Sequence, residues 1–201
     1  YGTKTVTVKS ANPDYSYITD SGTISITANI VSISPSSGTI GSSVTMKGAG
    51  FEAGQGLTFV FGSNTFTAAT TTTAGGTWTL TFIVPLNEGA TTTVTADTNA
   101  VATASTIFVV QGRITSVAPL SGTVGSSVTV SGDGYKKGET VKIDFGSSKS
   151  FTTSIDGNNG KFETVVFTVN TQIYGTTSII VTGQTSGLVA ATGTYKILSD
   201  L

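Results

Sequence analysis

The chain has 201 residues, a formal charge of -1, no Cys and no His. Those absences exclude disulfides, thiolate metal sites and His-based catalysis, and ten scattered Lys and Arg leave no basic footprint for nucleic acid or an anionic membrane. Ser and Thr make up roughly a third of the residues against only 10% charged, so the polar surface is built from hydroxyls and the β-branched bias points to strands.

In chain order, the first candidate strands are "YGTKTVTVKS" (1 to 10) and "SGTISI" (21 to 26), with Val6, Val8, Ile24 and Ile26 alternating along them. They resemble "YGTTSIIVTG" (174 to 183) and "TGTYKI" (192 to 197) near the other end. Residues 1–28 are therefore expected to form an antiparallel hairpin with a covered apolar face. Two origins remain open: the last strands of a truncated preceding repeat, or a genuine stub that pairs with another chain or the next domain.

From Ser34 the sequence repeats itself. "SPSSGTIGSSVT" returns 84 positions later as "APLSGTVGSSVT", and "VTMKGAGFEAGQGLTFVFGS" (44 to 63) as "VTVSGDGYKKGETVKIDFGS" (128 to 147). At that spacing Trp78 falls on Phe162, and a two-residue insertion then brings "GATTTVTAD" (89 to 97) onto "GTTSIIVTG" (175 to 183). Short alternating strands separated by Gly, Asn or Pro turns over such a period describe an antiparallel sandwich of about seven strands. The expected fold is all-β: two tandem immunoglobulin-like sandwiches over 29–111 and 112–201, with only Gln111 and Gly112 breaking the strands at their junction. The expected cores are Phe59, Phe61, Trp78, Phe82 and Val94 in one, and Ile143, Phe145, Phe162, Val166 and Ile180 in the other. Gly48 with Gly50, and Gly132 with Gly134, are read as a bulge or tight bend.

The order Pro, Ser-Gly-Thr, Val or Ile, Gly-Ser-Ser-Val-Thr, then Gly-x-Gly-Phe or Tyr resembles the IPT/TIG group of immunoglobulin-like domains, twice, between Ile30 and Ile197. The resemblance implies the fold, and in this Thr-rich, Cys-free form a prokaryotic cell-surface or secreted protein.

Candidate sites are sparse. "DGNNG" opens like a calcium loop, with Asp156 and Asn158 as ligands, but it lacks a third acidic ligand and a closing Glu, and "TAGG" (73 to 76) in the other unit has no carboxylate. A hairpin turn is expected there, with no cofactor. Asp133, Glu139 and Asp144 with Lys136, Lys137 and Lys142 read as a solvated face. Trp78 reads as core, and Tyr15 and Tyr17, in a loop, are the candidates for stacking on a sugar or packing on the next domain. No Asn-x-Ser/Thr sequon exists, so any glycan on the Thr runs would be O-linked.

No residue set supplies a nucleophile with a base, so a non-catalytic role is expected. The leading expectation is a structural module of an extracellular repeat protein at the cell surface: a surface layer, adhesive stalk or spacer whose partners are further repeats or neighbouring surface molecules. Two alternatives stand beside it: a filament subunit assembled by strand complementation, and a carbohydrate-binding or spacer accessory of a secreted hydrolase with polysaccharide as partner. No segment is apolar and long enough to span a membrane as a helix.

Overall fold

The computed structural model describes residues 1–201 except 16–18, 88, 99–101, 148, 156–159, 189–192 and 200–201. Among the described residues there is no α-helix, and the single 3-10 turn is Pro13–Tyr15. The chain opens with β1 (Gly2–Lys9) and β2 (Thr19–Ile26). The first unit comprises β3 (Asn29–Ser34), β4 (Ser37–Thr39), β5 (Ser43–Ala49), β6 (Gly56–Phe61), β7 (Asn64–Thr71), β8 (Trp78–Ile83), β9 (Ala90–Thr98) and β10 (Ala102–Gln111). The second repeats the series as β11 (Arg113–Ala118), β12 (Ser121–Gly122), β13 (Ser127–Asp133), β14 (Thr140–Phe145), β15 (Lys149–Ser154), β16 (Phe162–Thr168), β17 (Gly175–Gly183) and β18 (Gly193–Ile197).

Each unit packs a three-stranded sheet, β3-β5-β8 or β11-β13-β16, against a five-stranded one, β4-β10-β9-β6-β7 or β12-β18-β17-β14-β15. The short strands β4 and β12 run parallel to β10 and β18, and every other pairing is antiparallel. Alternation decides which side chains go inside. Leu57, Phe59 and Phe61 of β6 and Val141, Ile143 and Phe145 of β14 are fully buried, and the residues between them are not. The Ser34–Pro35 and Ala118–Pro119 peptide bonds are both cis.

Eight of the ten expected core residues are buried, and the two exceptions share one cause. Val166 is 59% exposed and Ile180 is only partly buried; Phe167 and Ile179 take their places. Across β5 and β8 the pairing runs without interruption from Ser43↔Ile83 to Gly48↔Trp78. Across β13 and β16 it shifts between Val130↔Val165 and Gly132↔Phe162, which places one extra residue in β16. This bulge turns the side chains after it to the opposite face. Phe82 therefore corresponds to Phe167, and Val94 to Ile179, at a spacing of 85. The insertion is one residue within a strand and not two in the loop that follows.

Gly48 and Gly132 stand at register shifts of the three-stranded sheets, as the expected bulge requires, and they also make room for a ring. A Cβ on Gly48 would lie 2.4 Å from Cε2 of Trp78, and one on Gly132 would lie 2.3 Å from Cε1 of Phe162. Each glycine makes room for the aromatic ring of the neighbouring strand.

Candidate functional site

The arrangement that recurs in part along the chain is a joint. Between the two units only Gly112 lies outside a strand. The ring of Tyr135 lies over it, so that a Cβ on Gly112 would sit 2.6 Å from Cζ. The Tyr135 hydroxyl donates to the Val181 carbonyl at 3.3 Å, and burial, followed by Glu139 and Asp133, pushes the phenol well above its ordinary pKa. Gly134, at φ +77°, brings its backbone against the Gln111 carbonyl, where a Cβ would lie 2.4 Å from the oxygen. Gly89 of the first unit donates its N–H to the Tyr135 carbonyl at 2.8 Å. Arg113 completes the joint: its guanidinium donates to both Asp133 oxygens at 2.8 and 3.1 Å, and its Nη1 approaches Gly41 of the first unit.

The hairpin meets the first unit through part of the same arrangement. Gly50, also at φ +77°, approaches the Thr27 carbonyl as Gly134 approaches Gln111. Phe51, in the place of Tyr135, donates its N–H to Gly76 at 3.1 Å, as Tyr135 does to Gly160 at 3.0 Å. Tyr1, Lys4 and Ile26 line one cavity with Phe51, Glu52 and Gly76. Residues starting the last hairpins share a left-handed backbone: Gly2 at φ +79° and Ala90 at +85°.

The charged neighbourhood corrects the reading of a solvated face. Asp133 and Glu139 are 4% and 3% exposed. Asp133 takes the Arg113 fork. Glu139 accepts the backbone N–H groups of Lys136 at 2.6 Å and Ser186 at 3.0 Å, together with the Ser186 hydroxyl at 2.8 Å. Both carboxylates are structural acceptors within a closed set of donors. Asp144 keeps the expected surface role, as do Lys136, Lys137 and Lys142: burial raises the Asp144 pKa, but Ser150 and Lys142, the latter at 3.0 Å, prevail and hold it below its ordinary value.

Trp78 is 3% exposed, so it offers no sugar platform. Tyr15 is 48% exposed in the turn between β1 and β2, while Tyr17, Asp156 and Asn158 lie outside the described residues. Among the described residues no three His, Cys, Asp or Glu side chains are grouped to hold a metal, and no helix is long and apolar enough to cross a membrane. Gly112 is legible in the sequence as the junction, but its packing under Tyr135 and the part played by Gly89 are not; the one signal for Tyr135 is the shared Gly-x-Gly-aromatic spacing.

Residues 28–110 match the model of the IPT/TIG domain. The first unit is an IPT/TIG domain. The second repeats its strand order and sheet composition. No curated protein matches the chain by sequence. Similar solved structures include the D0-D1 domain of intimin (16% identity over 83% of this chain and 98% of that one, TM-score 0.32). The surface glycan-binding protein PbSGBP-B from Prevotella bryantii is 15% identical over 84% of this chain and 41% of its own, with a TM-score of 0.45. Red sea bream transglutaminase is 13% identical over 86% of this chain and 31% of its own, with a TM-score of 0.37. The chain thus spans less than half of the last two, and at this similarity none of their activities transfers to it.

Proposed function

We propose that the chain is a non-catalytic structural module of an extracellular repeat protein, a rigid spacer at a cell surface whose partners are further repeats of its own kind. The observation that carries this reading is the joint. A one-residue linker, a backbone hydrogen bond from Gly89 to Tyr135, and glycines too close-packed to accept a Cβ leave the two sandwiches little room to swing. The hairpin is attached to the first unit through part of the same device, Gly50 and Phe51 in the places of Gly134 and Tyr135, while Ala28, Asn29 and Ala49 stand where the joint has Gly112, Arg113 and Asp133. A hydroxyl-rich surface with few charges accords with an extracellular setting.

Residual dipolar couplings on the full chain test the reading. A rigid spacer gives one alignment tensor for both sandwiches, and Gly112→Val, which drives a side chain into Tyr135, splits it into two while each sandwich keeps its own couplings. Independent tensors in the unaltered chain would refute the spacer.

A further inference from the structure

The β1–β2 hairpin reproduces the β17–β18 hairpin pair for pair. Gly2 faces Ile26, Lys4 faces Ile24 and Val6 faces Gly22; in the second unit Gly175 faces Ile197, Thr177 faces Tyr195 and Ile179 faces Gly193. Val6, Val8, Ile24 and Ile26 thus stand where the second unit has Ile179, Val181, Tyr195 and Ile197, none more than 2% exposed. In the hairpin the same four positions are 48%, 67%, 52% and 36% exposed, so of the expected covers for this face the first sandwich is not one. The opposite face carries only hydroxyls and one Lys, namely Thr3, Thr5, Thr7, Lys9 and the Ser and Thr residues of β2. The four apolar side chains share their face with Lys4, opposite Ile24, and Asp20, opposite Val8. Among the described residues β1 and β2 pair only with each other, and a two-stranded ribbon with exposed apolar side chains is marginal in water.

The second unit shows what covers such a hairpin. Strand β14 pairs along β17 with Ile143 opposite Val181 and Phe145 opposite Ile179, and β12 pairs along β18 at Ile197. At Gly193 a Cβ would lie 3.2 Å from Cδ1 of Ile114 and 3.4 Å from Cγ2 of Val117, so this glycine admits the facing strand β11. Gly22 holds the same place in the hairpin, with nothing within 4 Å. A second hairpin is too small a partner: the four apolar side chains expose on the order of 300 Å², against roughly 800 Å² per partner in a stable interface.

We propose that β1–β2 is the acceptor half of a third sandwich, completed by strands of the β11-to-β16 type carried ahead of Tyr1 on the same polypeptide. A strand patterned like β14 pairs antiparallel along β1 with apolar residues opposite Val8 and Val6. A strand patterned like β11 lays its apolar side chains over Gly22. Supply from the same polypeptide is favoured by the backbone at Gly2, which starts its strand in the positive-φ conformation of Gly175, where the chain arrives from the preceding loop.

The test joins residues 112–173 directly ahead of Tyr1 in the otherwise complete chain, since Tyr1 stands in the place of Tyr174, and follows amide hydrogen exchange in β1 and β2. Exchange should slow by at least about tenfold, toward that of β17 and β18, because these amides then open only with the third sandwich. Val8→Asp in the same fusion should abolish the slowing and leave both native sandwiches intact. Because Ile24 replaces Tyr195 and fills less of the core, a second fusion carries Ile24→Tyr. Unchanged exchange in both fusions overturns the proposal. So does slowing produced by residues 112–173 added as a separate polypeptide but not by either fusion, which would mean donation between chains.

Discussion

The two sandwiches meet one demand with different chemistry. In each, the loop before the strand that carries Phe59 or Ile143 must satisfy buried backbone N–H groups. Its outline is the same in both: Gly54 donates to the Thr72 carbonyl and Gly138 to that of Ile155, each at 3.0 Å. In the first unit the Thr72 hydroxyl does the remaining work, accepting from the Gln55 N–H at 2.8 Å and donating to the Glu52 carbonyl. In the second that position is Ile155, which is apolar and buried; the Glu139 N–H, in the place of the Gln55 N–H, donates to the Lys136 carbonyl at 3.2 Å, and the Glu139 carboxylate accepts from the Lys136 N–H. The glycine and aromatic framework is common to both units while the polar groups that satisfy it have been exchanged. Steric clearance sets this fold more tightly than any particular hydrogen bond.

The sharpest way to break the comparison is at the bulge. If one extra residue in β16 sets the register, Phe167 is core and Val166 is surface, whereas an uninterrupted spacing of 84 reverses the two. Phe167 stacks on Phe151 at 4.4 Å and meets Phe145 at 5.1 Å. Phe167→Ala should therefore cost about 3–5 kcal/mol, and Val166→Ala no more than about 0.5 kcal/mol. Denaturant unfolding followed by NMR signals of the second unit measures both, and equal losses would show that the bulge is misplaced.

That register was the part of the fold least legible in the sequence. Alternation and repeated Gly-Ser-Ser-Val-Thr segments were enough for the sandwich and its repetition, because burial on one face imposes a period of two. In "FETVVFT" the same alternation admits Val166 in phase with Phe162, or Val165 with Phe167. Only pairing with β13 decides. The buried acids were illegible for a different reason: Arg113 lies 20 residues from Asp133 and Ser186 lies 47 from Glu139, so local composition shows charges without their partners. The joint was half legible, since its glycines were visible but the rings that require them come from other strands.

Next in size are the exchanged polar groups. Glu139→Ala takes the acceptor from the part-buried Lys136 and Ser186 N–H groups and should cost about 2–3 kcal/mol in the second unit. Thr72→Val removes one neutral hydroxyl from the first and should cost about 1–2 kcal/mol. Trp78, the only tryptophan, makes the first unit readable by fluorescence independently of the second. If the two solutions are interchangeable, Ile155→Thr should recover part of the loss in a Glu139→Gln background. No recovery would mean that each loop is tied to its own surroundings, Ser186 above all.

The smallest effect is expected at Trp78 and Phe162, where the two cores differ by one ring and one polar atom. Trp78 and Phe162 lie over equivalent glycines, but the Trp78 Nε1–H is buried with no hydrogen-bond partner. Trp78→Phe gives up part of the edge contacts with Phe51 and Phe59, whose centroids lie 5.7 and 5.1 Å away. It also removes an unsatisfied donor, whose burial costs about 1–3 kcal/mol. The terms oppose each other, so the variant should unfold within about 1 kcal/mol of the parent, read by circular dichroism because the fluorophore is gone. The reverse change has no such offset. Phe162→Trp adds a ring and a buried donor above Gly132, where Phe162 already leaves no room for a Cβ, and should cost about 1–3 kcal/mol. If Trp78→Phe instead cost as much as a cavity mutation, ring volume and not the orphaned N–H would dominate at this position, and the two cores would be less alike than their shared glycines indicate.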